Sequence, residues 1–67
     1  MSLRTKVLKY LEKNPSDFFA LAREFKVTGD EIARELNNLL KAGYVTKENG
    51  DFYLTDRGRE YLKVEES

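Results

Sequence analysis

The run Leu39-Leu40-Lys41-Ala42-Gly43-Tyr44-Val45-Thr46-Lys47-Glu48-Asn49-Gly50-Asp51-Phe52-Tyr53-Leu54-Thr55-Asp56-Arg57-Gly58 carries the main architectural signal of this chain. Gly43 stops a helix in the left-handed conformation that glycine adopts cheaply. Asn49-Gly50 tolerates positive φ at both central positions, which a type I′ turn requires. The flanking segments, Tyr44 to Lys47 and Asp51 to Thr55, carry the β-branched and aromatic residues that strands favour. Val45 alternates with Lys47, and Phe52 with Leu54, so each strand has one apolar and one wet face. Thr55 then caps a fresh helix. A hairpin this short is marginal alone and has to lie on helices.

Upstream, Thr28-Gly29-Asp30-Glu31 has the form of a capping box. The Thr28 hydroxyl can accept from the Glu31 amide while the Glu31 side chain reaches back. The helix it opens, residues 30–42, turns Ile32, Leu36, Leu39 and Leu40 inward. Rotation by roughly 100° per residue then places Asp30, Arg34, Asn37, Asn38 and Lys41 outward. The preceding helix lies between Asp17 and Phe25, capped by Ser16 or Asp17. Phe18, Leu21, Ala22 and Phe25 share its buried face, and Phe19 lies roughly 100° off it, which places it at the core edge or, alternatively, exposed at a subunit contact. Phe18 alternatively belongs to a very short strand paired with the hairpin. The first helix spans Ser2 to Lys13, with Leu3, Val7, Leu8 and Leu11 as its apolar stripe. Arg4, Lys6, Lys9 and Lys13 form its solvated basic side, and Asn14-Pro15-Ser16-Asp17 breaks it. The last helix buries Tyr61 and Leu62, and Glu65-Glu66-Ser67 is expected to fray.

Composition narrows the chemistry. The 67 residues suit one domain with a small core. With no cysteine and no histidine, disulfides, thiolate metal sites, thiol nucleophiles and the usual general base are gone. No enzyme activity, cofactor, metal or small-molecule ligand is expected. So short a chain has little room for the usual pocket of about 300 Å3 or more. No apolar run approaches the roughly 20 residues of a membrane span, and the N-terminus leads straight into a helix, so the cytoplasm is the expected location. Twelve Lys and Arg balance twelve Asp and Glu. That balance lacks the basic excess common in nucleic-acid binders, so the placement of the charges matters more than their sum.

Three segments together resemble the winged helix-turn-helix domain of small bacterial and archaeal transcription regulators, an outline shared by the MarR and PadR groups. Leu21-Ala22-Arg23-Glu24-Phe25 is similar to the first helix of the helix-turn-helix. Leu39 to Val45 is similar to the end of the recognition helix entering the wing. Tyr53 to Leu62 is similar to the return strand and the helix after it. The resemblance covers residues 1–67 as a single domain. It implies an α+β fold with three helices, a two-stranded wing and a short C-terminal helix. It also implies a DNA-binding regulator with helix 30–42 in the major groove and hairpin 44–55 as the wing.

On that reading, Arg34 can hold guanine O6 and N7, and Asn37 or Asn38 can do the same for adenine. Lys41, Arg23 and Lys47 are phosphate contacts, and Ser16 with nearby amides is a further candidate at a helix start. Asp30, Glu31 and Glu35 oppose phosphate, and Glu48 and Asp51 make the hairpin tip less basic, so it brushes the backbone instead of inserting. Arg57 and Arg59 are assigned to surface ion pairs. A homodimer on double-stranded DNA is expected, built from the first or last helix with Tyr10, Phe19 or Tyr61 in the contact. The competing reading is a protein-interaction adaptor of the same fold that binds no DNA. A positive surface through Arg23, Arg34, Lys41 and Lys47 favours DNA, whereas an exposed apolar patch with Phe19 or Tyr10 favours a protein partner.

Overall fold

The computed structural model describes residues 1–66. In chain order it contains α1 (Leu3–Lys13), β1 (Ser16–Asp17), α2 (Phe18–Glu24), α3 (Gly29–Ala42), β2 (Val45–Glu48), β3 (Asp51–Leu54) and α4 (Asp56–Glu66). The protein is a small α+β domain of four helices and an antiparallel sheet ordered β1-β3-β2.

Local chemistry accounts for the element ends. Ser2 caps α1 by accepting the Thr5 amide at 3.2 Å, and its hydroxyl also meets the buried Thr5 hydroxyl at 3.0 Å. Asp17 caps α2 through the Ala20 amide at 2.8 Å. Thr28 caps α3 through the Glu31 amide at 3.1 Å, while Glu31 Oε1 accepts from the Thr28 hydroxyl itself at 3.3 Å. The reach-back expected of Glu31 therefore lands on the side chain of Thr28. Gly43 ends α3 at φ 80°. Its amide donates to Leu40 O and the Tyr44 amide to Leu39 O, the double bond pattern of a Schellman stop. Asn49 and Gly50 sit at φ 51° and 88°, as the type I′ turn demands.

The cap on α3 gives a direct test. Thr28→Ala removes the acceptor for the Glu31 amide and is expected to cost about 1 kcal/mol, read as a lower melting temperature. Thr28→Asp restores an acceptor and should recover most of that loss.

The core is one cluster. Val7, Leu8 and Leu11 of α1 meet Leu21 of α2, Ile32, Leu36 and Leu39 of α3, Val45, Phe52 and Leu54 of the sheet, and Leu62 of α4. Leu3, Phe18, Phe25, Leu40 and Tyr61, expected inside, are only partly buried and pack around its margin.

Two expectations need correction. The sheet has three strands, because Ser16 and Asp17 pair with Phe52 and Asp51. Phe18 is not in that strand but opens α2. The alternative of a very short strand paired with the hairpin thus holds in kind, but the strand ends one residue before Phe18; two residues are too few to show a strand period that would place it. At the other end, α4 continues through Glu65 to Glu66, where fraying was expected, and Ser67 lies outside the described residues. Among the described residues, no helix is long and apolar enough to cross a membrane.

Candidate nucleic-acid interface

Helix α3 is held in place by its inner row. Ile32 and Leu39 are wholly buried, and Leu36 nearly so. That packing fixes the rotation of the helix and leaves Asp30, Arg34, Asn37, Asn38 and Lys41 exposed along one side. None of the side chains of Arg34, Asn37, Asn38 and Lys41 is engaged in a hydrogen bond or ion pair with another described residue. Their donors are therefore unspent. A guanidinium, two carboxamides and an ammonium are the groups that read base edges and hold phosphate.

The acids on this helix are less opposed to phosphate than the sequence implied. Glu35 does not face solvent freely. Arg4 Nε of α1 donates to its Oε2 at 2.8 Å, and the Glu35 side chain is only 17% exposed. The same bond raises the Arg4 guanidinium above its ordinary value, so it stays charged. Arg4 thus belongs to a bridge between helices and not to the solvated basic side expected for α1. Asp30 and Glu31 remain exposed in the first turn, where the helix dipole stabilises them. Charge along α3 therefore runs from acidic at Asp30 and Glu31 to basic at Lys41.

The remaining candidates are spread over other elements. Arg23 is exposed in the last turn of α2. Lys47 is exposed on β2, with its Nζ 5.3 Å from the centre of the Phe52 ring. Ser16 is committed locally, since its hydroxyl donates to Asn14 O at 2.7 Å. The start of α2 is already capped by the Asp17 carboxylate, which occupies the position a phosphate would need. Asp17, Asp51 and Glu48 also fall on one rung across the three strands. The hairpin tip is accordingly acidic over its whole width.

Arg59 pairs with Asp56 at 3.1 Å, as expected for a surface ion pair. Arg57 takes a different partner, with its guanidinium 5.4 Å from the centre of the Tyr44 ring. Of the two aromatics named as markers of a protein partner, Phe19 is 69% exposed, so it stands outside the core edge expected for it. Tyr10 is instead partly covered by Phe25, edge to face at 5.7 Å. An open surface hollow of about 530 Å3 is lined by Met1, Ser2, Thr5, Lys9 and Glu65. It holds no part of the α3 row. Among the described residues, no group of three or more acidic side chains is arranged to hold a metal ion. No protein-family model, curated protein or solved structure matches this chain.

Proposed function

We propose that the chain is a winged helix-turn-helix DNA-binding regulator that sets α3 in the major groove, with the β2–β3 hairpin as its wing. The observation that supports this most is the outward row Arg34, Asn37, Asn38 and Lys41, exposed and unengaged on a helix whose central acid is neutralised by Arg4. The polarity of α3 adds a constraint. Acids at its N-terminal turn keep that end away from phosphate, so contact falls on the half from Arg34 to Lys41. Lys41, Arg23 and Lys47 are the phosphate contacts. Ser16 is dropped from that set, because an approaching phosphate would meet the Asp17 carboxylate. The acidic hairpin tip keeps the wing at the backbone and out of the minor groove.

The test is a binding titration at two salt concentrations, with random duplex and with genomic fragments. Three phosphate contacts per domain predict a log–log salt slope of about −2.7, or a roughly 40-fold loss of affinity between about 50 and about 200 mM salt. One fragment should bind well above the random duplex.

The adaptor reading rests on Phe19, an aromatic 69% exposed, and on zero net charge. A chain that binds no duplex at the lower salt concentration, and instead loses a protein partner on Phe19→Ala, would establish that reading.

A further inference from the structure

Helices α1 and α4 place their cations in opposite ways. On α4, Arg59 meets Asp56 at 3.1 Å and Lys63 meets Glu60 at 3.6 Å, each acid three residues before its cation. On α1, Lys6, Lys9 and Lys13 follow one another at spacings of three and four. Like charges at that spacing repel and weaken a helix. Four of the twelve cations and one of the twelve acids lie in α1, so this helix carries +3 and the rest of the chain −3. Lys9 is the least available of the three lysines. Glu12 stands three residues after it, and it lines the same hollow as Glu65.

The lysine ridge points away from the interface described above. Arg4 marks the side of α1 that meets α3, through Glu35. At roughly 100° per residue, the three lysines stand about 140–200° round the helix from Arg4. They therefore face away from α3 and from a duplex seated on its outer row. A further cation joins the ridge from the exit of α2. The Val27 amide donates to Phe25 O at 2.9 Å, which makes a three-residue γ-turn with Lys26 at its apex. Phe25 packs edge to face on Tyr10, and Tyr10 lies four residues after Lys6 and three before Lys13. That contact carries Lys26 to the flank of α1. Lys6, Lys13 and Lys26 are exposed, and among the described residues their side chains make no hydrogen bond or ion pair. The Tyr10 hydroxyl is likewise unspent.

We infer that Lys6, Tyr10, Lys13 and Lys26 form a second duplex-binding surface, which holds phosphate without reading bases, so that one domain joins two DNA segments. The joining rests on the α3 reading; the surface itself does not. Its chemistry selects the occupant. Ammonium groups are point charges that hold phosphate without a fixed orientation. Lys6 to Lys13 spans about 10.5 Å of helix, and a duplex presents a phosphate charge every ~1.7 Å of its axis. A protein partner needs an apolar or aromatic anchor in a contact centre from which lysine is depleted, and the one aromatic here is partly covered by Phe25. A membrane surface needs apolar side chains to insert, whereas the apolar side of α1 lies in the core. A second copy packed α1 to α1 would set lysine against lysine.

The experiment mixes two random duplexes, one with a donor dye and one with an acceptor, and follows energy transfer as the chain is added at about 50 mM salt. The parent chain should give transfer that salt removes. Lys6→Glu with Lys13→Glu should lower it at least about tenfold, and should lower the affinity for the preferred fragment, read by anisotropy, by much less. Lys6→Arg with Lys13→Arg should retain it. Sedimentation of the DNA-free chain should give the parent and the charge-reversed variant the same mass. Transfer that survives charge reversal overturns the surface. So does a variant whose mass falls together with its transfer, because the bridging then belonged to a dimer. A parent chain that gives no transfer is resolved by anisotropy on a single random duplex. If charge reversal abolishes that binding, the α1 surface stands and the α3 reading fails. If charge reversal leaves it unchanged, or if the lysines hold phosphatidylserine vesicles and no duplex, the α1 surface is overturned.

Discussion

Gly58→Ala is expected to destabilise the fold severely, although it adds a single methyl group. A Cβ at Gly58 would stand 2.3 Å from Tyr44 O and 2.5 Å from Leu54 Cδ1. The leucine can rotate, but the carbonyl cannot move alone, because it accepts the Thr55 amide at 3.1 Å. Nor can the neighbouring backbone. Thr55 Oγ1 donates to Gly43 O at 2.6 Å and accepts the Gly58 amide at 3.1 Å. The exit from α3, the return of β3 and the first turn of α4 thus meet at one point, and α4 must lift to admit the methyl group. Overpacking of this kind costs about 1–3 kcal/mol. Each kcal/mol lowers the melting temperature of a domain this size by about 4–8 °C. Gly29→Ala is the control. Nothing lies within 4 Å of a Cβ there, and alanine is the better helix former. A Gly58→Ala variant that melts with the parent, or with Gly29→Ala, would show that α4 does not sit this close to Tyr44.

That junction shows what the sequence could and could not disclose. The Gly43 stop, the Asn49-Gly50 turn and the caps at Thr28 and Thr55 were legible because each acts over a few residues through backbone chemistry. The second role of Thr55, holding Gly43 O, was not, because it joins positions 12 apart. Gly58 gave no separate signal either. Its φ is ordinary, and the close approach that requires glycine is created by the returning strand. The same distinction applies to the candidate interface. The row Arg34, Asn37, Asn38 and Lys41 follows from rotating one helix about its apolar side. The capture of Glu35 by Arg4 spans 31 residues, and only the packing of α1 against α3 brings the two together. Arg57 was assigned to a surface ion pair, but its guanidinium lies over a ring. Its ring partner, Tyr44, reaches it through the Schellman exit from α3. The short strand paired with the hairpin was offered at Phe18 but falls at Ser16–Asp17 for the same reason, since a strand of two residues is defined by what it pairs with.

Arg34→Ala and Lys47→Ala should separate reading from holding. Arg34 lies at the middle of the exposed side of α3, and Lys47 lies on the hairpin. Base contacts specify and phosphate contacts position. Arg34→Ala is therefore expected to cost about 1–3 kcal/mol on the preferred fragment and little on random duplex, which compresses the ratio between them. Lys47→Ala should weaken both fragments alike and reduce the salt slope by roughly one unit. Neither change should disturb the fold, since both side chains are exposed and Lys47 contributes only a contact with Phe52. Arg4→Ala provides the electrostatic counterpart. It frees the Glu35 carboxylate on α3 while leaving every proposed DNA contact in place, so affinity should fall on both fragments, and Glu35→Gln in the same chain should recover it. Equal losses on both fragments for Arg34→Ala would make Arg34 another phosphate contact. No loss on the preferred fragment would remove α3 as the reading element and leave the adaptor reading, with Phe19 as its anchor, as the better account.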